Sequence, residues 1–162
     1  MTIRLILLAF ITLATGTHAQ GVDRRHTDWN LPRWALEALY NTDFQQRYDF
    51  FYDLNPYYQR GDFDGDGRLD LAVQIVTKST LKRGIAIIHY ADRSVHVLGA
   101  GQPLGNGGDD FSWLGVWRVE SPEHLRQRLG QTREALYVAK LESASGWIVW
   151  DGRQYTWIQG AD

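Results

Sequence analysis

Residues 61–72 read Gly-Asp-Phe-Asp-Gly-Asp-Gly-Arg-Leu-Asp-Leu-Ala, which puts Asp62, Asp64, Asp66 and Asp70 within nine consecutive positions. Carboxylates at this density repel one another by a few kcal/mol per close pair at an effective dielectric of about 20. A hard cation removes that cost, because Ca²⁺ gathers about six to eight oxygen ligands in flexible geometry. Acids at positions 1, 3 and 5 of a tight loop turn successive carboxylates toward one centre, and Gly67 permits the sharp reversal they need. The carbonyl of Arg68 then stands at position 7 and Asp70 at position 9. The expected ligand set around Ca²⁺ is therefore Asp62, Asp64, Asp66, Arg68 and Asp70.

The first half of this loop resembles an EF-hand, and the second half departs from it. Position 12, where an EF-hand needs a bidentate acid, is Val73, and the loop leads into a β-branched apolar run at 69–76 that reads as a strand instead of a helix. The segment GDFDGDGRLDLAV, a loop feeding directly into a strand, resembles the calcium loop of FG-GAP or VCBS-type repeats, units found in integrin α-chain propellers and bacterial surface proteins. That resemblance is confined to this one segment. It implies Ca²⁺ held by the same five residues and implies no reaction.

The elements that must position the loop are legible as periodicity. Leu31, Trp34, Ala35, Ala38 and Leu39 recur at helical spacing behind Asn30 and Pro32, which predicts an N-terminal helix. The stretch 44–58 is aromatic with weak periodicity, and Pro56 limits any second helix to the part before Asn55. Strands are expected at 69–76, 84–90, 94–98, 111–119 and 135–141, with a short helical turn between Ser121-Pro122 and Gly130. A last hairpin at 147–150 and 153–158 turns on Asp151-Gly152. The fold class is mainly β, of the α+β kind: an antiparallel sheet or small sandwich of about seven strands with a helical segment packed on one face. A propeller needs about four or more blades, and the loop motif occurs once.

A second constellation lies at 99–117, GAGQPLGNGGDDFSWLGVW, where five glycines precede Asp109 and Asp110. It lacks the Lys-Ser/Thr of a phosphate loop and does not match GxGxxG. It reads either as a structured connection or as a binding loop, with Asp109, Asp110, Phe111 and Trp113 as the candidate partner-binding residues. With Glu142-Ser-Ala-Ser-Gly146 and the ending WDGRQYTWIQGAD, the segment resembles a group of small exported bacterial proteins without an assigned activity. That similarity bears on fold alone, and Ile158 stands where the group carries an aromatic.

Two histidines add a subtler possibility. If Asp92-Arg93 closes a simple hairpin, His89 faces His96 across the strands, close enough for a shared Zn²⁺ or Cu²⁺, although no cysteine or fixed third ligand accompanies them. Covalent catalysis has little support: Ser143 and Ser145 sit outside any GxSxG pattern, and Asp110 with Glu142 forms a carboxylate pair whose separation sequence does not supply. The domain is accordingly expected to be non-enzymatic.

Arg4, the apolar run at 5–13 and the small residues around Thr17-His18-Ala19 read as a signal peptide over residues 1–19, leaving a single domain at 20–162. Loss of those residues removes one basic group from a formal charge of −2, and mild acidity with no basic stripe argues against a nucleic-acid partner. No later segment is apolar enough for a membrane span, and with no cysteine neither disulfides nor a lipidated cysteine are available. The expected location is the periplasm or the medium. Seven Trp, eight Tyr and six Phe exceed what a core of this size demands, so a surplus is available for an unknown protein or glycan partner in the cell envelope. The readings that compete are a calcium-dependent interaction domain, a periplasmic inhibitor or immunity-type protein of an envelope-acting enzyme, and a glycan-binding module using Trp113, Trp117, Trp147 or Trp157.

Overall fold

The apolar run beyond the acidic loop forms strand β3 (Asp70–Thr77), and it lacks polar alternation because both of its faces are covered. Leu71, Val73 and Ile75 face one cluster of buried residues, and Ala72 faces another. The computed structural model describes residues 30–160, so the predicted signal peptide at 1–19 lies outside the described residues.

Nine strands are present among the described residues, all paired antiparallel. The first sheet is a meander of β3, β4 (Arg83–Ile88) and β5 (Val95–Gly99), with β1 (Tyr48–Phe50) and β2 (Tyr58–Gly61) laid end to end along the other edge of β3. Gln74 bridges the gap between them, its side-chain amide exchanging hydrogen bonds with the backbone of Leu54 at 3.0 and 3.3 Å. The second sheet is an unbroken meander of β6 (Val116–Glu120), β7 (Ala135–Lys140), β8 (Ala144–Trp150) and β9 (Tyr155–Gln159).

The two sheets stack face to face as a sandwich. Between them lie Phe63, Ala72, Ile85, Ile87, Leu98 and Phe111 from one side and Trp117, Leu136, Val138, Ile148 and Tyr155 from the other. Helix α1 (Arg33–Tyr40) covers the outer face of the first sheet through Ala35, Ala38 and Leu39, as its spacing predicts. A one-turn helix α2 (Phe44–Arg47) comes next and leads straight into β1. Helix α3 (Pro122–Leu129) lies on the second sheet with Leu125 against Ala135, Trp147 and Val149, and it ends at Gly130 in the left-handed conformation.

Two expectations change in detail. Helix covers both outer faces instead of one, because α3 supplies the cap that the second sheet needs. The stretch at 44–58 is mostly strand and connection, and 111–119 contributes strand only from Val116, since Phe111 begins a turn that returns the Leu114 amide to its carbonyl at 3.0 Å.

Candidate metal centre

The loop between β2 and β3 is folded by its own carboxylates. Asp62 accepts the amides of Gly65 at 2.9 Å and Gly67 at 3.1 Å, one on each oxygen. Asp64 accepts the amide of Asp66 at 3.0 Å, and Asp66 accepts that of Arg68 at 2.7 Å. These side-chain turns need left-handed backbone, and Gly65 and Gly67 supply it at φ 81° and 85°. Carboxylate oxygens of Asp62, Asp64 and Asp66 thereby come within 4.8 Å of one another, an all-oxygen group that could hold a metal ion. An ionised carboxylate offers about four lone-pair sites, so the turn bonds leave acceptor capacity on all three.

Asp70 stands apart from Asp62 and Asp66. Fully buried, it accepts the amides of Phe63 at 3.1 Å and Asp64 at 3.3 Å on one oxygen and that of Tyr90 at 2.8 Å on the other. It thus clamps the loop to the turn at the end of β4. Burial pushes its pKa up to about 6; the Tyr90 amide opposes the shift and the charge of Asp64 adds to it. Its ligand-competent neighbours are Asp64 and His89, and one atom from each of these three also lies within 4.8 Å of the others. Asp64 belongs to both groups. Arg68 keeps its amide on Asp66 and extends its guanidinium over Tyr90, 5.6 Å from the ring centre.

His89 reaches the loop because β3 and β4 pair Leu71 with Ile88, so the next residues out, Asp70 and His89, face each other. Its Nδ1 lies 3.6 Å from Asp64 Oδ2, and its Nε2 lies 2.7 Å from the hydroxyl of Tyr155 on β9. Burial holds the Tyr155 phenol well above its ordinary range, the nearby charges of Asp70 and Asp64 adding to the effect, so it remains a neutral hydroxyl. A polar chain of Asp64, His89 and Tyr155 therefore joins the loop to the second sheet. From that sheet, Glu134 accepts the amide of Asp62 at 2.6 Å. Arg133 donates to the carbonyl of Trp150 at 3.1 Å and lies so close to Gly65 that a Cβ there would meet its Nε at 2.6 Å.

The histidine pair requires a correction. The turn after β4 holds four residues, 90–93, with Arg93 at φ 63°, and the register pairs Ile87 with His96 while the His89 amide bonds Ser94 at 3.0 Å. The two imidazoles are diagonal neighbours instead of opposed ones. A slip of two residues keeps them on one face, and their rings still pack with centres 4.5 Å apart. His96 turns to the Ser94 hydroxyl at 2.9 Å, and burial, then the charge of His89, pulls its pKa down to about 4. Among the described residues, His89 joins a metal-competent group and His96 does not.

The glycine-rich loop treats its acids differently. Asp110 accepts the amides of Arg83 at 2.9 Å and Ser112 at 3.0 Å, and although burial works against its charge, these bonds hold its pKa low. Asp109 pairs with the ammonium of Lys82. Phe111 is 1% exposed and belongs to the core between the sheets, so it is not a surface contact residue. Trp113 is half-buried, donates its indole N–H to Gly107 O at 3.0 Å and meets Trp157 edge-on at 6.0 Å. Of the four candidate partner-binding residues, Asp109 and Trp113 retain the most accessible side-chain functions.

Sequence reasoning missed Glu134, Arg133, Tyr155 and the role of His89. Only His89 had a signal, the β3–β4 register, which depends on the length of the turn at 78–82. The others arrive by stacking of one sheet on another, which no local pattern encodes. No helix among the described residues is long and apolar enough to cross a membrane. Comparison with family models, with curated proteins and with solved structures returns no match for this chain.

Proposed function

We propose that this chain is an exported, non-enzymatic interaction domain that binds Ca²⁺ at 62–70. The observation that carries the reading is the convergence of Asp62, Asp64 and Asp66 within 4.8 Å on a backbone bent by two left-handed glycines. An all-oxygen donor set suits a hard cation. Asp62, Asp64 and Asp66 would hold the ion with the Arg68 carbonyl. Asp70, already accepting three amides, would share a remaining lone pair while fixing the loop on β4. The ion would supply charge neutralisation to the loop, and the domain would use the stiffened junction between its sheets to present a surface to an envelope partner.

Isothermal calorimetry tests the metal directly. One Ca²⁺ should bind with a dissociation constant on the order of 10⁻⁴ M, as in extracellular modules, and Asp64→Ala should abolish the heat. An isotherm without calcium heat, or one unchanged in the variant, sinks the reading. An inhibitor or immunity-type role for the same surface would require stoichiometric block of an envelope enzyme by the purified domain.

The glycan-binding alternative narrows to one place. Trp117 and Trp147 are buried, whereas Trp113 and Trp157 line a cleft of about 230 Å³ with Asn106, Lys140, Ala144 and Gln159. Glycan-array binding that disappears with Trp113→Ala would support a sugar ligand there, and binding that survives it would remove this alternative.

A further inference from the structure

Helix α3 covers only part of the second sheet, and beside it lies a cleft of about 380 Å³ walled by Arg118, Glu120, His124, Gln127, Arg128 and Trp147. That size falls in the range of small-molecule sites. Its location on the outer face of the second sheet separates it from the inter-sheet core and the acidic loop, so occupancy of this cleft is independent of calcium binding.

One wall carries an unmet demand. Trp147 is 5% exposed, and its indole Nε1–H is a buried donor with no acceptor among the described residues. Such a group has given up water without gaining a partner, and native structures keep few of them without a ligand, ion or ordered water to account for it. The charges nearby fall into two kinds. Glu120 is fully engaged, taking Arg118 Nη2 at 3.1 Å and His124 Nδ1 at 2.9 Å, and Arg118 also lies 3.8 Å over the Tyr137 ring centre. Arg128, by contrast, rests over the Trp147 ring with its guanidinium carbon 5.8 Å from the centre and has no acidic partner among the described residues.

The unmet donor and the uncompensated cation thus sit on the same indole. Both call for an acceptor-rich anion, and the guanidinium fork matches the two oxygens of a carboxylate. The apolar edge of Leu125 and the indole itself favour a ligand with a hydrocarbon body over a bare inorganic ion. We propose that this cleft binds a small organic carboxylate, its oxygens shared between the Trp147 Nε1–H and the Arg128 guanidinium and its apolar body lying along Leu125.

The test uses the whole ¹⁵N-labelled domain and benzoate as the probe, read at the indole N–H resonance of Trp147, which Trp147→Phe assigns by its disappearance. Benzoate should move that resonance downfield and saturably, and neutral benzyl alcohol should leave it in place. Arg128→Gln, at an exposed helix position, should weaken benzoate by about tenfold or more, the loss expected for a hydrogen bond to a charged group. Arg126→Gln, on the same helix but outside the cleft walls, should leave benzoate binding unchanged. An indole resonance that does not respond to benzoate, or equal affinity in Arg128→Gln, overturns the proposal. Inorganic phosphate that binds as tightly as benzoate overturns the organic body and reduces the site to a plain anion contact.

Discussion

The loop at 62–69 and the connection between β5 and β6 are written in the same residues, aspartate and glycine, yet they dispose of charge in opposite ways. In the second, Asp109 finds Lys82 and Asp110 finds two amides, so each acid is answered from the neighbouring turn and the connection is complete in itself. In the first, Asp62, Asp64 and Asp66 spend their bonds on amides of their own loop and bring their charges together. Acid density therefore does not mark a cation site; convergence without a protein counter-charge does. Both segments read as candidate sites by composition, and partner geometry separates them.

The largest expected effect tests Asp70. Asp70→Ala leaves three buried amides without an acceptor and should cost about 3 kcal/mol or more, read as a fall in the urea midpoint. A smaller loss than for Asp110→Ala would break the contrast between a buried clamp and a half-exposed one. Asp110→Ala frees two amides that water can partly reach, and a loss of about 1–2 kcal/mol is expected.

Calcium sharpens the comparison further. At free calcium tenfold above the dissociation constant, binding to the folded state alone adds about 1.4 kcal/mol, so a chelator should lower the melting temperature. Asp66→Ala should remove that dependence, while Asp109→Ala with Asp110→Ala should keep it. A chelator response lost equally in both variants would mean that the two loops are not separable.

Acid provides a fourth probe. The pKa of His96 falls from 6.5 to about 4 on folding, so between those values the unfolded chain binds the extra proton. Its contribution is present above about pH 6.5 and is lost as pH falls toward 4. Asp70, whose pKa is raised, contributes in the opposite sense over part of that window. The test is therefore the difference between the parent and His96→Gln, whose stability curve should be flatter between pH 6.5 and 4; identical slopes would refute it. The smallest effect belongs to Asp109→Ala alone, a surface ion pair with Lys82, expected to change stability by less than about 0.5 kcal/mol in the same denaturation assay.

Much of the scaffold was legible because burial leaves a period. Strand β3 shows as a continuous apolar run since α1 lies on one side and the second sheet on the other, and α1 shows as an i, i+3, i+4 stripe. The loop ligand types were legible because the turn chemistry is local: each acid bonds an amide two to five residues ahead. The parts that escaped depend on geometry that no spacing carries. The tandem of β1 and β2 on one edge rests on Gln74 holding Leu54 twenty residues away. The β4–β5 register rests on Arg93, a residue type that gives no sign of a left-handed conformation. The second half of the site, Arg133, Glu134 and Tyr155, comes from strands and turns far along the chain.

Each sheet is a meander of sequence neighbours, so most of its pairings close short loops, and the first is complete by Gly99, before the second begins at Val116. Contacts that span the sandwich are of another kind: Gln59 to the carbonyl of Trp117, Asp62 to Glu134 and His89 to Tyr155 join residues 58, 72 and 66 positions apart. Such non-local closures are entropically slow, whereas local ones are fast. Folding should then proceed as two quick, nearly independent events and one later docking step, and the acidic loop acquires its neighbours from the second sheet only at that step. Its assembly is the last thing the chain does, which makes the loop a natural marker for a finished molecule.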